Sequence, residues 1–152
     1  MTISNPRDLT VQLLGELLYV ERRLADTVLE ELAGSVRDPE LAELLRAHRA
    51  ETVTHAERVE DGFRAISVAP SSHRSASFEA AVSQHDELAG SIVDPGLGDR
   101  FHAQSALHTE HWELAAYETL LRIAPAQVTD RIAPSLDDEL EAATKLRAWL
   151  EA

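Results

Sequence analysis

Cysteine is absent from this sequence, which excludes disulfides, thiolate metal sites and thiol nucleophiles. Any metal ion would have to be held by carboxylate, imidazole, amide or water. Aromatic residues are scarce, at 5%, and alanine, leucine and glutamate dominate, a composition that leans towards helix. Basic residues are in deficit too: 14 Lys and Arg stand against 27 Asp and Glu, a formal net charge of −13. A surface of that sign repels phosphate backbones and anionic membranes. The arginines are scattered rather than gathered in a patch, so neither nucleic acid nor membrane is an expected partner. No apolar run approaches the roughly 20 residues of a membrane span. The opening stretch Met1-Thr-Ile-Ser-Asn-Pro-Arg-Asp8 lacks the basic-then-apolar layout of a signal peptide, and the expectation is a cytoplasmic protein.

What is present is a chain of 152 residues, 44% apolar, enough for one domain (1–152) with a core of its own. Four long segments carry a helical period. The first runs from about Pro6 to Ala33, with Asn5 as cap, Pro6 at the first position and Gly34 at the end. The second runs from Pro39 to about Ile66, capped by Asp38. Ser67 to Ser75 reads as a loop, followed by a short helix from about Ala76 to Ser91 and a break at Asp94-Pro-Gly-Leu-Gly98. The third long helix spans about Asp99 to Ala124. The fourth lies between Ala126 and Leu150, with Pro134 inside it and Ser135 placed to recap it. The fold expected is all-α: two antiparallel helical hairpins forming a four-helix bundle, joined by a long crossover that contains the short helix.

The buried stripe of each helix is interrupted by an acid. Glu21 falls among Leu14, Leu17, Leu18, Leu24, Val28 and Leu32. His48, Glu51 and His55 fill the gap between Leu45 and Val59. Glu110 stands between Leu107 and Leu114, and Glu139 between Leu136 and Ala143. Level agrees as well as face. Glu21 and Glu51 each lie about 15 residues from the first hairpin turn, and Glu110 and Glu139 about 15 from the turn near Pro125, so each pair sits roughly 22 Å along its hairpin.

Four carboxylates in a dry seam repel one another and lose hydration, at several kcal/mol per ion. Arg22, Arg23, Arg49 and Arg58 point elsewhere by helical phase. Protons would neutralise the acids, but divalent cations satisfy charge and oxygen valence together. Carboxylate with imidazole suits iron or manganese, with zinc as a third option. The expected cofactor is a pair of divalent ions held by Glu21, Glu51, His55, Glu110 and Glu139, with dioxygen or peroxide as expected reaction partners. The alternative is a non-enzymatic helical structural or interaction protein whose metal site has degenerated.

The segments Leu18-Tyr-Val-Glu21-Arg-Arg-Leu24, His48-Arg-Ala-Glu51-Thr-Val-Thr-His55, Glu110-His-Trp-Glu-Leu-Ala-Ala-Tyr117 and Leu136-Asp-Asp-Glu139 resemble the motifs of the YciE/YciF-type bacterial stress proteins, over most of the chain and in the same order. The resemblance implies a ferritin-like four-helix fold, a di-metal site on the same five residues, an association with stress and a homodimer. Two departures stand out. Glu51 and His55 are four apart where the ferritin-like pattern has Glu-x-x-His. Ala143 occupies a position where the family is expected to carry an acid, which leaves one ion short of a protein ligand. Water, His48, His111 or Glu113 are the candidates to fill it. Tyr117 reads as a core residue whose hydroxyl points towards Glu110. His102 and His108 read as surface residues, and His73 and His85 lie on the crossover without an assigned role.

Overall fold

The computed structural model describes residues 2–152. Helix α1 (Pro6–Arg23) continues through a π-helical turn (Leu24–Val28) into α2 (Leu29–Ser35), forming one rod. Then come α3 (Pro39–Ala65), α4 (Ala76–Ala89), α5 (Pro95–Ile123) and α6 (Ala126–Glu151). No strand occurs among the described residues.

Local chemistry sets most of these boundaries. Backbone N–H groups are accepted by Asn5 from Asp8 at 2.9 Å, by Asp38 from Leu41 at 2.9 Å and by Asp94 from Leu97 at 2.7 Å. In each case the next residue is a proline, which has no N–H to lose at a helix start. Such a cap contributes about 1 kcal/mol. The Asp94 cap explains why α5 begins at Pro95 rather than at Asp99. Gly34 does not end the first rod, which runs on to Ser35. Pro134 does not break α6 either. Ser135 is no second cap; it is buried, and its hydroxyl accepts from Arg58 Nη1 at 3.2 Å. In the wide turn after Glu21, the Ala25 carbonyl is satisfied from outside its helix by Arg49 Nε at 2.7 Å.

Helices α1 and α3 pair as one hairpin and α5 and α6 as the other; α3 against α6 and α1 against α5 close the ring of four. One carboxylate ties the hairpins together at the first turn. Asp99 accepts from the backbone N–H groups of Arg37 and Asp38, both at 2.9 Å. The loop after α3 is laid against α1 at Gly15, whose carbonyl accepts from His73 N–H at 2.8 Å. A Cβ at position 15 would stand 2.4 Å from the His73 ring. Helix α4 rides outside the ring, anchored by Phe78 against Trp112 and by Glu79, which accepts from Tyr19 at 2.8 Å and Arg23 at 2.9 Å.

The apolar core has two lobes. One holds Leu24, Leu29, Leu32, Leu41, Leu45, Leu107 and Leu146, nearest the first hairpin turn. The other holds Leu14, Leu17, Val59, Phe63, Leu120 and Ile132, towards the α5–α6 turn. Between them lies a slab of polar side chains.

Candidate metal centre

The slab contains six buried ionisable groups of catalytic or ligand type: Glu21 on α1, His48 and His55 on α3, Glu110 and Glu113 on α5, and Glu139 on α6. They fall into two groupings. His48, Glu110, Glu113 and Glu139 each offer one donor atom, all within 4.8 Å of one another, and Glu21, His55 and Glu139 do the same. Glu139 belongs to both. Its Oε1 lies 2.7 Å from His55 Nδ1 and its Oε2 3.6 Å from His48 Nε2. His48 Nε2 also stands 2.8 Å from Glu110 Oε1.

These approaches are close, yet they are not aligned as hydrogen bonds. Both nitrogens of His48, His55 Nδ1, one oxygen of Glu21 and both oxygens of Glu110, Glu113 and Glu139 are buried without a hydrogen-bond partner. Leaving one such group unmet costs about 1–3 kcal/mol, and more when it is charged. So many orphaned donors and acceptors in one layer fit a set of ligand atoms whose common partner is a cation. The partners that are aligned sit around them. Tyr117 donates its hydroxyl to Glu21 Oε1. Asp138 Oδ2 lies 3.1 Å from His55 Nε2 and accepts from Arg58 Nη1 at 2.8 Å. An ionised carboxylate only accepts, so Asp138 keeps the proton of His55 on Nε2 and leaves Nδ1 facing the slab.

Charge explains the titration behaviour. Burial pushes the Glu113 carboxyl well above the usual range, and the charges of Glu139, Glu21 and Glu110 push the same way. Burial raises Glu139 to about 7 despite the opposing pull of His55. It also raises Glu21, against the pull of His55 and Tyr117. Burial alone would lower both imidazoles, but their acidic neighbours win. His48 is held well above its ordinary value by Glu110, Glu51 and Glu139, and His55 is raised to about 10 by Glu139 and Glu21. Tyr117 is driven well above 10 by burial and by the Glu21 charge. Without a cation, the seam would therefore take up protons on folding.

Of the residues singled out from sequence, Glu21, His55, Glu110 and Glu139 converge. Glu51 stands on the rim instead, its side chain 43% exposed and its Oε2 3.6 Å from His48 Nδ1. The inward face of α3 repeats as Leu45, His48, Thr52, His55 and Val59, all buried, and position 51 lies just off that line. His48 and Glu113 join the slab. The signal for Glu113 was available: Glu110, Glu113, Tyr117 and Leu120 step by three, four and three along α5. Tyr117 serves Glu21 rather than Glu110. His111 points outward to Arg147, at 2.7 Å. Ala143 is packed in the apolar lobe nearest the first turn.

A family model described as a domain of unknown function, DUF892, matches residues 5–152. The chain belongs to the DUF892 family. No curated protein matches this DUF892 sequence. Among solved structures it is similar to YcfI from Rhodopseudomonas palustris, described as a candidate structural protein, with 26% identity, a TM-score of 0.92 and coverage of 95% of this chain and 94% of that one. It is also similar to the E. coli stress protein YciF, with 21% identity, a TM-score of 0.90 and coverage of 97% and 96%. The second likeness is one of fold. The kinship read from the four motifs and the all-helical bundle are both borne out. Among the described residues, no helix is long and apolar enough to cross a membrane.

Proposed function

We propose that this DUF892 protein binds two divalent metal ions in the slab, iron or manganese by preference, and uses them in handling dioxygen or peroxide. Charge carries the reading. Once deprotonated for ligation, the four buried carboxylates and two imidazoles sum to a charge that two divalent ions cancel and one does not. Glu139, common to both groupings, is the ligand the two ions would share. The proposed set is the buried Glu21, His48, His55, Glu110, Glu113 and Glu139, with Glu51 turning inward from the rim as a further carboxylate whose charge comes in addition to that count. Oxygen-rich donors with one imidazole per grouping suit iron or manganese, and zinc is the third option.

Bound iron or manganese would supply the electrons for reducing dioxygen or peroxide. The chain's own contribution is to hold four acids in register, to orient His55 through Asp138, and to keep a phenol against Glu21. The two apolar lobes exclude water from both ends of the slab. We further propose that the protein works as a cytoplasmic homodimer in a stress response.

The test is elemental analysis after loading with iron or manganese. Two equivalents per chain are expected, falling in the Glu51→Ala/His55→Ala double variant; equal emptiness of both proteins would defeat the reading. A second reading, a structural or interaction protein with a degenerate site, is favoured by the description of YcfI and by Ala143 in place of an acid. A melting temperature that drops on metal addition would support it over the first.

A further inference from the structure

Outside the seam, where α4 crosses α5, two further imidazoles face each other. His85 Nε2 of α4 lies 3.0 Å from His102 Nδ1 of α5. The His85 ring is fixed on both sides of this contact. It lies parallel to Phe101, with centroids 5.2 Å apart and planes 1° from coincidence. Its far nitrogen, Nδ1, is 3.0 Å from Asp86 Oδ1. That carboxylate holds the proton on Nδ1 and leaves a lone pair on Nε2, the arrangement found behind metal-binding histidines. A cavity of about 630 Å³ opens beside the pair, with His108, Gln104 and Ser105 also on its wall.

We propose that His85 and His102 form a second metal site, independent of the seam, taking a single Cu2+, Ni2+ or Zn2+ ion whose other positions are open to the cavity. Imidazole suits these three ions better than magnesium or calcium. Two nitrogens at about 2.05 Å from one ion stand roughly 2.9 Å apart at a right angle and 3.3 Å apart at the tetrahedral angle. The observed 3.0 Å is a hydrogen-bond separation within reach of both, so small tilts of the two rings suffice to aim their lone pairs at one ion. In the metal-free protein one proton bridges the nitrogens. Binding moves that proton from His102 Nδ1 to Nε2 and puts the ion's bonds in its place, so neither imidazole changes charge. The ion would also clamp α4, which otherwise meets the bundle chiefly along α5.

The test is Cu2+ titration of the full chain followed by electron paramagnetic resonance. Each seam grouping offers one histidine, so a species with two coordinated imidazole nitrogens identifies the α4–α5 site. It is expected in the wild type and in Glu139→Gln, and lost in His85→Asn and in His102→Asn, with the metal-free helical signal of both unchanged. Asp86→Asn is expected to weaken Cu2+ binding at the site by about tenfold. As a measurement that needs no variant, Zn2+ titration followed by imidazole 15N resonances should move His85 Nε2 and His102 Nδ1 while leaving His111 in place. A wild-type spectrum without the two-nitrogen species, or one that His85→Asn leaves intact, overturns the proposal.

Discussion

Glu139 Oε1 approaches His55 Nδ1 to 2.7 Å from the opposite hairpin, without the alignment of a hydrogen bond. The pair joins α6 to α3 at the middle of the bundle. Because the other oxygen of the same carboxylate faces His48, one side chain connects the two halves of the slab.

Replacing Glu139 should therefore affect more than one ion. Glu139→Gln is expected to reduce bound metal by both equivalents, whereas Glu113→Gln, whose residue belongs to one grouping only, should reduce it by about one. Elemental analysis of the three proteins side by side decides. Equal losses in the two variants would show that Glu139 is not shared.

Tyr117 is buried with its hydroxyl on Glu21. Removing that hydroxyl while keeping the ring leaves a buried carboxylate oxygen without a donor. Tyr117→Phe should cost about 1–3 kcal/mol of metal-free stability, read by urea denaturation. Metal loading should recover part of the loss, since a cation satisfies the orphaned oxygen. A variant as stable as wild type would mean that Glu21 is protonated and finds another acceptor.

Stability should fall as pH rises in the metal-free protein. Glu139 goes from an ordinary 4.5 to about 7 on folding, and His55 from 6.5 to about 10. Both folded-state values are raised, so the folded chain binds more protons. The Glu139 contribution is complete below about pH 4.5 and lost through about 7; that of His55 is complete below 6.5 and lost through about 10. Melting temperature without metal should therefore decline from pH 5 to pH 10. Metal competes with those same protons, so the stabilisation on adding Mn2+ should grow over this range. A metal-free melting temperature that climbs with pH contradicts this proton uptake on folding.

Asp138 is the outer support of His55. Asp138→Asn leaves every slab ligand in place but replaces an acceptor-only carboxylate by an uncharged amide that can also donate, so the imidazole tautomer is no longer fixed. Metal affinity should drop by about 10–100-fold. Isothermal titration calorimetry with Mn2+ gives the number directly; an unchanged dissociation constant would reduce Asp138 to a partner of Arg58 alone.

Much of this architecture was legible in the residues. Asn5-Pro6, Asp38-Pro39 and Asp94-Pro95 mark three helix starts by chemistry that acts within four residues. The placement of Glu21, Glu110 and Glu139 followed from apolar spacing, because a lone acid within a leucine stripe is conspicuous. Glu51 and His48 were harder to tell apart. They are three residues apart, both are ligand types, and a few tens of degrees of rotation about α3 decides which is inside. Glu113 was masked by its neighbour Leu114, since both are buried. The His85–His102 contact could not be read at all, because the angle at which α4 crosses α5 is a tertiary property that no local period encodes.

The double acceptor at Asp99 has a consequence for the whole assembly. By gripping two successive amides of the first turn, it sets the axial offset of one hairpin against the other, as a pin sets two sliding rules. A slip of one helical turn would be about 5.4 Å, more than the 4.8 Å that spans either set of donor atoms. The alignment of chemistry deep in the bundle thus depends on a clasp at its end.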